Sequence, residues 1–451
     1  MDASIHEMIN YLQKYSLLFV ALVMLYSCQK ETKNQLLKDR IEAAVNSRQM
    51  PDPAKQLISF KSPDWITLIS PDIAELNRHF EYYLPTVTIS KRDTKTKQLE
   101  ENLSETLGQE LLTSTFFKKE TTLDDICARK AINGVIVLHK GKIIYEKYPD
   151  MNPDDRHITA SIAKSFVGTV IAILADQRLL HEQDSITKYL PELRDAGFED
   201  ITIEHLLRMA SGINCREHLP DMEAITNPES CFYQLLEHTG LFPEPNSGFE
   251  KEFLQVIKDF GIAEPPGKTY DYTGANSVLL AMIAERITDT PYHELVSSMI
   301  WSKIGAEQDA LITMASTGIS GSYGPMMMTL RDMARYGLAF TEDADIKIAS
   351  DRYLKEIRKG NHDLFLSKDG FGDLVWSQQY EGQGAMFQSY HWDVVFEDGD
   401  FIKHGVGGQA QYISPSKRLI IAFNSSPKTS YEENHSLQYL VRSLALLDQF
   451  N

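Results

Sequence analysis

A serine and a lysine three residues apart, Ser161 and Lys164, are the side chains in this sequence whose types and spacing best fit nucleophilic chemistry. The same Ser-x-x-Lys spacing begins at four other places: Ser27, Ser185, Ser414 and Ser425. Only Ser161 stands at the entrance of an apolar run, SIAKSFVGTVIAILA, which is typical of a buried helix. Context therefore separates this pair from the other four.

The proposed helix would place Ser161 and Lys164 so that the serine can act as a nucleophile and the lysine as its base. Residues three apart share one helix face, so the Lys164 amine can reach the Ser161 hydroxyl. Burial disfavours an ammonium and lowers a lysine pKa, which makes the amine a proton acceptor. The free N–H groups of a helix N-terminus also stabilise a developing negative charge. A capping serine followed by a surface lysine is the alternative, and spacing and burial alone leave both open.

Other catalytic and cofactor signatures are missing. The sequence has no G-x-S-x-G, H-E-x-x-H, paired C-x-x-C or Walker loop. Residues 405–410, GVGGQA, match G-x-G-x-x-A, but the chain continues as a strand where a dinucleotide site needs a helix. The thirteen histidines show no ligand spacing. We expect neither a cofactor nor a metal.

Composition narrows the class of protein. The 451 residues are 43% hydrophobic, as in an ordinary globular protein, and allow one large domain or up to three. A formal net charge of −18 disfavours a nucleic-acid partner, because an acidic surface repels phosphates. Four cysteines exclude a disulfide-stapled scaffold. If Cys28 is lipidated, the other three allow at most one disulfide, and the sequence favours no pair.

The N-terminus resembles that of a bacterial lipoprotein. Tyr15 to Ser27 is uncharged and apolar, too short to span a membrane but suited to a secretory signal. The following Leu-Tyr-Ser-Cys sequence resembles a lipobox ending at Cys28. We expect residues 1–28 to be a lipoprotein signal peptide and Cys28 to carry the lipid that anchors the protein to the bacterial cell envelope. A buried helix ending at an ordinary cysteine is the alternative, and Met1 and Met8 both remain candidate starts.

The rest of the chain divides into a tether with an N-terminal extension (29–64) and one domain (65–451). Residues 134–148, GVIVLHKGKIIYEKY, predict a hairpin, and strands separated by turn signals return over residues 390–426. Helical periodicity dominates between them, roughly over 176–340, and HSLQYLVRSLALLDQF near the end predicts a final helix. The pattern predicts an α/β (α+β) fold. One antiparallel sheet is built from both chain ends and flanked by helices, with an inserted mainly helical region.

Longer segments carry a family resemblance. HITASIAKSFVGTVIAILADQRLL and ITIEHLLRMASGI resemble the penicillin-recognising serine hydrolases, the superfamily of β-lactamases, DD-peptidases and related esterases. PPGKTYDYTGANSVLLAMIAERIT, TLRDMARYG and GVGGQAQYISP resemble more closely its 6-aminohexanoate-dimer (nylon-oligomer) hydrolase branch. The resemblance covers roughly residues 65–430 and implies a β-lactamase-like fold.

The resemblance also implies site residues. Ser161 is similar to the acyl-accepting nucleophile, Lys164 to its partner base and Tyr272 to a second acid/base group. The backbone N–H of Val406 would join that of Ser161 as the oxyanion hole. Gly405 and its neighbouring glycines would let substrate approach the backbone closely.

Three departures from the family pattern concern substrate contacts. Lys403-His404-Gly405 is similar to the K-T-G of β-lactamases, with His404 in place of the hydroxyl residue. Lys403 and His404 either contact a substrate carboxylate or are strand residues facing solvent. Gly274 replaces the polar third residue of the tyrosine motif, so an expected side-chain hydrogen bond is absent. Leu219 stands where the branch often has a tyrosine associated with amide recognition.

Together these features predict an anchored envelope serine hydrolase that cleaves a small ester or amide through an acyl-enzyme. Esters are expected to be preferred, because Leu219 and Gly274 lack polar contacts to amides and β-lactams. A β-lactamase or D-amino-acid peptidase (DD-peptidase) is one alternative, and a catalytically silent binding protein of the same fold is another. The combination of Ser161, Lys164 and Tyr272 argues against a silent protein. The sequence leaves the physiological substrate, the oligomeric state and the particular membrane open.

Overall fold

The computed structural model describes residues 35–50, 71–114, 116–217, 227–242, 248–249, 251–368, 370–426 and 436–450. The predicted signal segment with Cys28, and the candidate substrate contact Leu219, lie outside these residues. The domain limits predicted at 28/29 and 64/65 also lie outside them and stay predictions.

The elements of the described residues are numbered in chain order. The strands are β1 (Thr86–Ile89), β2 (Glu100–Glu101), β3 (Leu112–Ser114), β4 (Lys119–Thr121), β5 (Gly134–His139), β6 (Lys142–Lys147), β7 (His157–Ile158), β8 (Ala310–Thr313), β9 (Met326–Met328), β10 (Ala385–Ser389), β11 (Trp392–Phe396), β12 (Phe401–Gly405), β13 (Gln409–Ser414) and β14 (Leu419–Asn424). The helices are α1 (35–46), α2 (Pro71–Arg78), α3 (Leu123–Ala128), α4 (Ala163–Asp176), α5 (Ile203–Leu207), α6 (Cys231–His238), α7 (Phe253–Phe260), α8 (Gly274–Thr288), α9 (Tyr292–Val296), α10 (Leu330–Leu338), α11 (Asp351–Ile357), α12 (His362–Phe365), α13 (Ser377–Gln379) and α14 (Val441–Ala445).

The main sheet is built from both ends of the chain, as predicted. Its strand order is β10-β11-β12-β13-β14-β5-β6-β2. Strands β10 to β14 run as successive antiparallel neighbours, and β14 then pairs with β5 over six residues, from Leu419 opposite His139 to Asn424 opposite Gly134. The β5–β6 hairpin follows, and only the short edge strand β2 is parallel to its neighbour among the described strands. This pairing confirms the predicted antiparallel sheet.

Apolar side chains cover both faces of the sheet. On one face, α4 packs against α8, and α10 lies across β14, β5 and β13. Helix α4 is apolar nearly all round, so it can only be stable when surrounded by other elements, and most of its side chains are buried. The other face packs against α3 and α14. The mixed helix and sheet architecture confirms the predicted fold class.

Two elements differ from the sequence prediction. Strands β8 and β9 interrupt the region predicted as mainly helical, and they join β1 and β7 in a second sheet ordered β1-β8-β9-β7. All residues of both strands are buried, so the period of two that marks a half-buried strand is missing. The predicted C-terminal helix is also broken, because α14 is flanked by the 3₁₀ turns Ser436–Tyr439 and Asp448–Phe450.

A disulfide joins Cys215 to Cys231, with Cα atoms 5.2 Å apart, and Cys127 is a buried free thiol. The sequence favoured no pair, because disulfide formation requires close Cβ atoms and the fold alone decides that distance. The bond ties the segment after α5 to the first residue of α6.

Candidate active site

Ser161 lies on a 3₁₀ turn, Ala160–Ile162, that leads directly into α4. The turn is strained, because Ala160 has a φ of +47°, a left-handed conformation that costs a non-glycine residue about 1–2 kcal/mol. Thr159 holds it in place: its amide and its hydroxyl both donate to the carbonyl of Met326, at 2.8 and 3.0 Å. The strained turn presents the Ser161 hydroxyl to a cavity.

Lys164 lies within hydrogen-bond distance of Ser161, as their spacing predicts. Its Nζ is 3.0 Å from the Ser161 Oγ and donates to the carbonyl of Tyr323 at 2.8 Å. The side chain is fully buried, and burial lowers the pKa of Lys164 although the carboxylates of Glu217 and Asp393 oppose the shift. A neutral amine oriented by the Tyr323 carbonyl has a lone pair available for the serine proton.

Tyr272 completes the group at the cavity. It precedes α8, whose N-cap Thr273 accepts a hydrogen bond from the Ala275 amide. Burial raises the pKa of Tyr272 well above its ordinary value, the Asp393 and Glu217 charges add to the shift, and a hydrogen bond with Ser161 opposes it. Tyr272 is therefore a protonated phenol near neutral pH.

Lys403 and His404 are both buried, so the interpretation of these residues as solvent-facing is wrong. Lys403 donates to the Tyr272 hydroxyl at 2.8 Å and forms an ion pair with Asp393 on the neighbouring strand β11. Burial lowers the pKa of Lys403 to about 8 against the opposing pull of Asp393. His404 lines the cavity. Its Nε2 lies 2.6 Å from the hydroxyl oxygen of Tyr380.

The end of β12 packs directly against the serine turn. A Cβ atom on Gly405 would lie 2.5 Å from the Thr159 carbonyl oxygen and 3.0 Å from the Ala160 Cβ, so only glycine permits this approach. Val406 follows, lines the cavity and is 51% exposed. The structure thus brings the two segments proposed for the oxyanion hole together.

Glu217 is a site residue that the sequence analysis did not single out. Its Oε2 lies 3.7 Å from the Lys164 Nζ, and its Oε1 accepts a hydrogen bond from the Gly274 amide. A Cβ atom on Gly274 would lie 2.5 Å from this Oε1 and 2.9 Å from the Tyr323 ring. The Glu217 carboxylate therefore fills the space that a side chain at position 274 would need, and the expected lack of a hydrogen bond to substrate stays a prediction.

The cavity around these groups has a volume of about 580 Å³. Its lining is mainly apolar and aromatic, contributed by Ile73, Ile158, Phe232, Leu236, Leu241, Phe371, Val375 and Trp376. Amide side chains add polar positions at Asn77, Gln379, Gln409 and Gln438. Among the described lining residues, Lys164 is the only lysine or arginine. Such a cavity suits a small, largely apolar molecule.

A second cavity of about 740 Å³ lies elsewhere, beyond the C-terminal end of α4. Two of its three arginines are already paired, Arg352 with Asp176 and Glu182, and Arg208 with Glu204. It contains none of the groups described above, so the smaller cavity is the candidate active site.

The described residues offer neither a metal site nor a membrane span. No group of three or more histidine, cysteine, aspartate or glutamate side chains there is arranged to hold a metal ion. No helix in the same parts of the chain is long and apolar enough to cross a membrane.

Comparison with known proteins identifies the family. The sequence model of the beta-lactamase family matches residues 120–446, so the chain belongs to this family. It is 26% identical over 363 residues to the 6-aminohexanoate-dimer hydrolase of Paenarthrobacter ureafaciens, a match that covers 79% of this chain and 86% of that protein. The predicted superfamily and branch are confirmed by these matches together with the structural comparison.

Solved structures show the same fold. A provisional 6-aminohexanoate-dimer hydrolase from Bacillus anthracis superposes with a TM-score of 0.70 and 23% identity, covering 88% of this chain and 99% of its own. EstCE1, described as a hydrolase with promiscuous acyltransferase activity, superposes with a TM-score of 0.52 and 13% identity, covering 71% of this chain and 98% of its own. The family and the first relative support a hydrolase of the β-lactamase fold.

Proposed function

We propose that this protein is a serine hydrolase that cleaves small esters through an acyl-enzyme on Ser161. The observation that carries the proposal is the 3.0 Å approach of the buried Lys164 amine to the Ser161 hydroxyl. Serine is a weak nucleophile without an adjacent base, and burial favours the neutral amine that can act as one. A protein that only binds ligands has no use for this arrangement.

In the proposed acylation, protons move between Ser161, Lys164, Tyr272 and the leaving group. The Ser161 Oγ attacks the substrate carbonyl and passes its proton to Lys164, while the amides of Ser161 and Val406 stabilise the oxyanion. The bond to the leaving oxygen then breaks, Tyr272 protonates that oxygen, and Lys164 returns a proton to Tyr272. Water attacks the acyl-enzyme in the second half, loses a proton to the same groups, and Ser161 regains its own.

The charges of the cavity favour esters over the alternative substrates. β-Lactams and peptides ending in D-amino acids carry a carboxylate, which needs a cationic partner when buried. Lys164 is the only lysine or arginine among the described lining residues, and the proposed reaction uses it as a base. The nearby Lys403 is already paired with Asp393. The 6-aminohexanoate dimer, which the Paenarthrobacter relative is named for, also carries a carboxylate and is the second candidate substrate.

Activity-based labelling tests the proposal. A fluorophosphonate probe followed by peptide mapping should mark Ser161, and Ser161→Ala should abolish labelling and ester hydrolysis while leaving the circular dichroism spectrum unchanged. Ser185→Ala is the matched control, because Ser185 begins another Ser-x-x-Lys run but caps a 3₁₀ turn by bonding the Thr187 amide. Labelling at another serine, or full activity of Ser161→Ala, would exclude the mechanism.

We also propose that the protein is anchored to the bacterial cell envelope by lipid on Cys28. The support is the apolar segment and the lipobox-like sequence before Cys28. Two acyl chains suffice for stable anchoring. Metabolic labelling with a fatty-acid probe should mark the wild type and not Cys28→Ala, and an unlabelled wild type would contradict the proposal.

A further inference from the structure

A buried carboxylate, Asp393 on β11, lines the active-site cavity and takes no part in the steps above. It forms an ion pair with Lys403 and accepts hydrogen bonds from the amide and the Nδ1 of His404, at 2.8 and 3.2 Å. Resting on the proposed function, we infer that Asp393 is a positioning residue. It holds Lys403 as an ammonium against the Tyr272 hydroxyl, so that Tyr272 directs its own proton toward Ser161 and the leaving group.

The charge of Lys403 determines the direction of its hydrogen bond with Tyr272. A lysine ammonium has three donors and no acceptor, so at 2.8 Å from Lys403 the Tyr272 oxygen must accept. The single hydrogen of the phenol therefore cannot be given to Lys403, and Ser161 is the other side chain that forms a hydrogen bond with Tyr272. A neutral Lys403 amine could instead accept the phenol proton, which would turn that proton away from the reacting atoms.

Lys403 needs a counter-charge in order to remain an ammonium. Lys403 is fully buried, and burial alone drives a lysine toward the neutral amine. The Asp393 carboxylate opposes this, and although burial favours its protonated form, the Lys403 charge and the His404 hydrogen bonds lower the pKa of Asp393. The pair therefore stays ionised only as a unit.

His404, which replaces the hydroxyl residue of the K-T-G pattern, holds the Asp393 carboxylate in place. Burial lowers the pKa of His404 and keeps its ring neutral. The ring stacks on Trp376 with centroids 4.5 Å apart, its Nδ1 faces Asp393 and its Nε2 faces Tyr380. With the hydrogen on Nδ1, the histidine donates to Asp393 and accepts from Tyr380, which fixes the carboxylate.

Several other titratable groups interact electrostatically with this pair: Lys164, Glu217, Tyr270, Tyr272, Tyr380 and His391. All of them remain in a variant changed only at position 393. A change in the pH profile of that variant therefore reports the loss of the Asp393 charge.

Two leaving groups separate positioning from a merely structural role. An ethoxide needs a proton as it leaves, whereas p-nitrophenoxide does not. For Asp393→Asn, kcat/KM for ethyl butyrate should fall at least about tenfold more than kcat/KM for p-nitrophenyl butyrate. The alkaline limb of the ethyl butyrate profile should also move down by about one pH unit or more, because Lys403 loses its counter-charge. Asp393→Glu should restore part of both effects.

Asp400→Asn is the matched control. Asp400 is equally buried and precedes the other end of β12, where it accepts from the Tyr412 hydroxyl at 2.6 Å and pairs with Arg442. It should leave the ratio of the two substrates and the alkaline limb as in the wild type, even if the variant is less stable.

The outcomes distinguish the inference from the proposed function. Equal losses for both esters in Asp393→Asn, with an unmoved alkaline limb, would overturn the inference and leave the hydrolase intact. A wild type that is neither labelled by fluorophosphonate nor active on either ester would overturn both. If Asp393→Asn does not fold, the wild-type profile decides: kcat/KM for ethyl butyrate must fall above about pH 8, where Lys403 loses its proton, and a flat profile from pH 7 to 10 would overturn the inference.

Discussion

The carboxylate of Glu217 occupies the space that a side chain at Gly274 would need. It accepts the Gly274 amide proton and lies 3.7 Å from the Lys164 amine. The tyrosine motif of this chain lacks its usual polar third side chain, and a glutamate from another segment supplies a polar group at the same place. Glu217 therefore supplies a polar group where the tyrosine motif has glycine.

Gly274→Ser should lower ester hydrolysis, because the new side chain would displace Glu217 and disturb Lys164 behind it. We expect kcat/KM to fall about 10- to 100-fold, as for other misplacements of about 1 Å in an active site. Gly324→Ala is the control, since Gly324 also lines the cavity and the nearest atom to an added Cβ is 3.9 Å away.

A double-mutant cycle tests the cause of that loss. In a Glu217→Ala background only the Tyr323 ring, 2.9 Å from an added Cβ, still crowds the serine, so its further effect should be smaller than in the wild type and the two changes non-additive. Additive losses would show that Glu217 and a side chain at position 274 do not compete for space.

Lys164→Met should keep the fold and lose acylation. Methionine fills a similar buried volume without a charge, and removing a positioned base costs about 10²- to 10⁴-fold in rate. Because the pKa of Lys164 is lowered, the acid limb of the wild-type pH profile should rise as the amine loses its proton, and the variant should lose that limb. Burst-phase p-nitrophenol release measures acylation. Lys188→Met, at an exposed Ser-x-x-Lys lysine, should behave as the wild type; a similar loss there would contradict the assignment.

The helical segment that holds Ser161 and Lys164 together can be predicted from the sequence, because the pattern that predicts it lies within the segment itself. The apolar run after Ser161 predicts a buried helix, and three-residue spacing on a helix predicts the contact that the structure shows at 3.0 Å. Turn signals at residues 397–400 and 415–418 separate the strands on either side of Gly405, so the C-terminal half of the sheet was also predicted.

Contacts between segments that are distant in the chain could not be predicted from the sequence in the same way. Lys403 looks like a solvent-facing strand residue until β11 places Asp393 beside it, and nothing near residue 403 in the sequence marks that partner. Glu217 and Gly274 are 57 residues apart, so their competition for one space emerges only in the fold. The same holds for the Cys215–Cys231 bond.

Leu219→Tyr should raise amide hydrolysis selectively. A tyrosine at this position is associated with amide recognition in the family branch that the sequence resembles, and one hydrogen bond to the substrate is worth about a tenfold to hundredfold change in rate. The values of kcat/KM are compared for p-nitrophenyl butyrate, a 6-aminohexanoate dimer and a chromogenic cephalosporin. The wild type should prefer the ester. Preference for the dimer or the cephalosporin, or an equal gain on all three substrates in the variant, would show that Leu219 does not set this selectivity.

Glu285, near the end of α8, should make the stability of the protein depend on pH. The side chain is buried and accepts the Tyr292 amide proton at 2.8 Å, and burial raises the pKa of Glu285 from 4.5 to about 7. The folded state therefore holds this proton more tightly than the unfolded state. Its contribution to stability is fully present below pH 4.5 and falls as pH rises toward 7, by at most about 3 kcal/mol.

Glu285→Gln should remove that loss, because glutamine keeps the acceptor for Tyr292 and cannot ionise. Thermal unfolding at pH 5 and pH 8 should show a variant close to the wild type at pH 5 and more stable than it at pH 8. Glu101→Gln, at the exposed edge strand β2, controls for the simple removal of one carboxylate from an acidic protein. If Glu285→Gln is less stable than the wild type at pH 8, the charge of Glu285 stabilises the fold and the sign of this prediction is wrong.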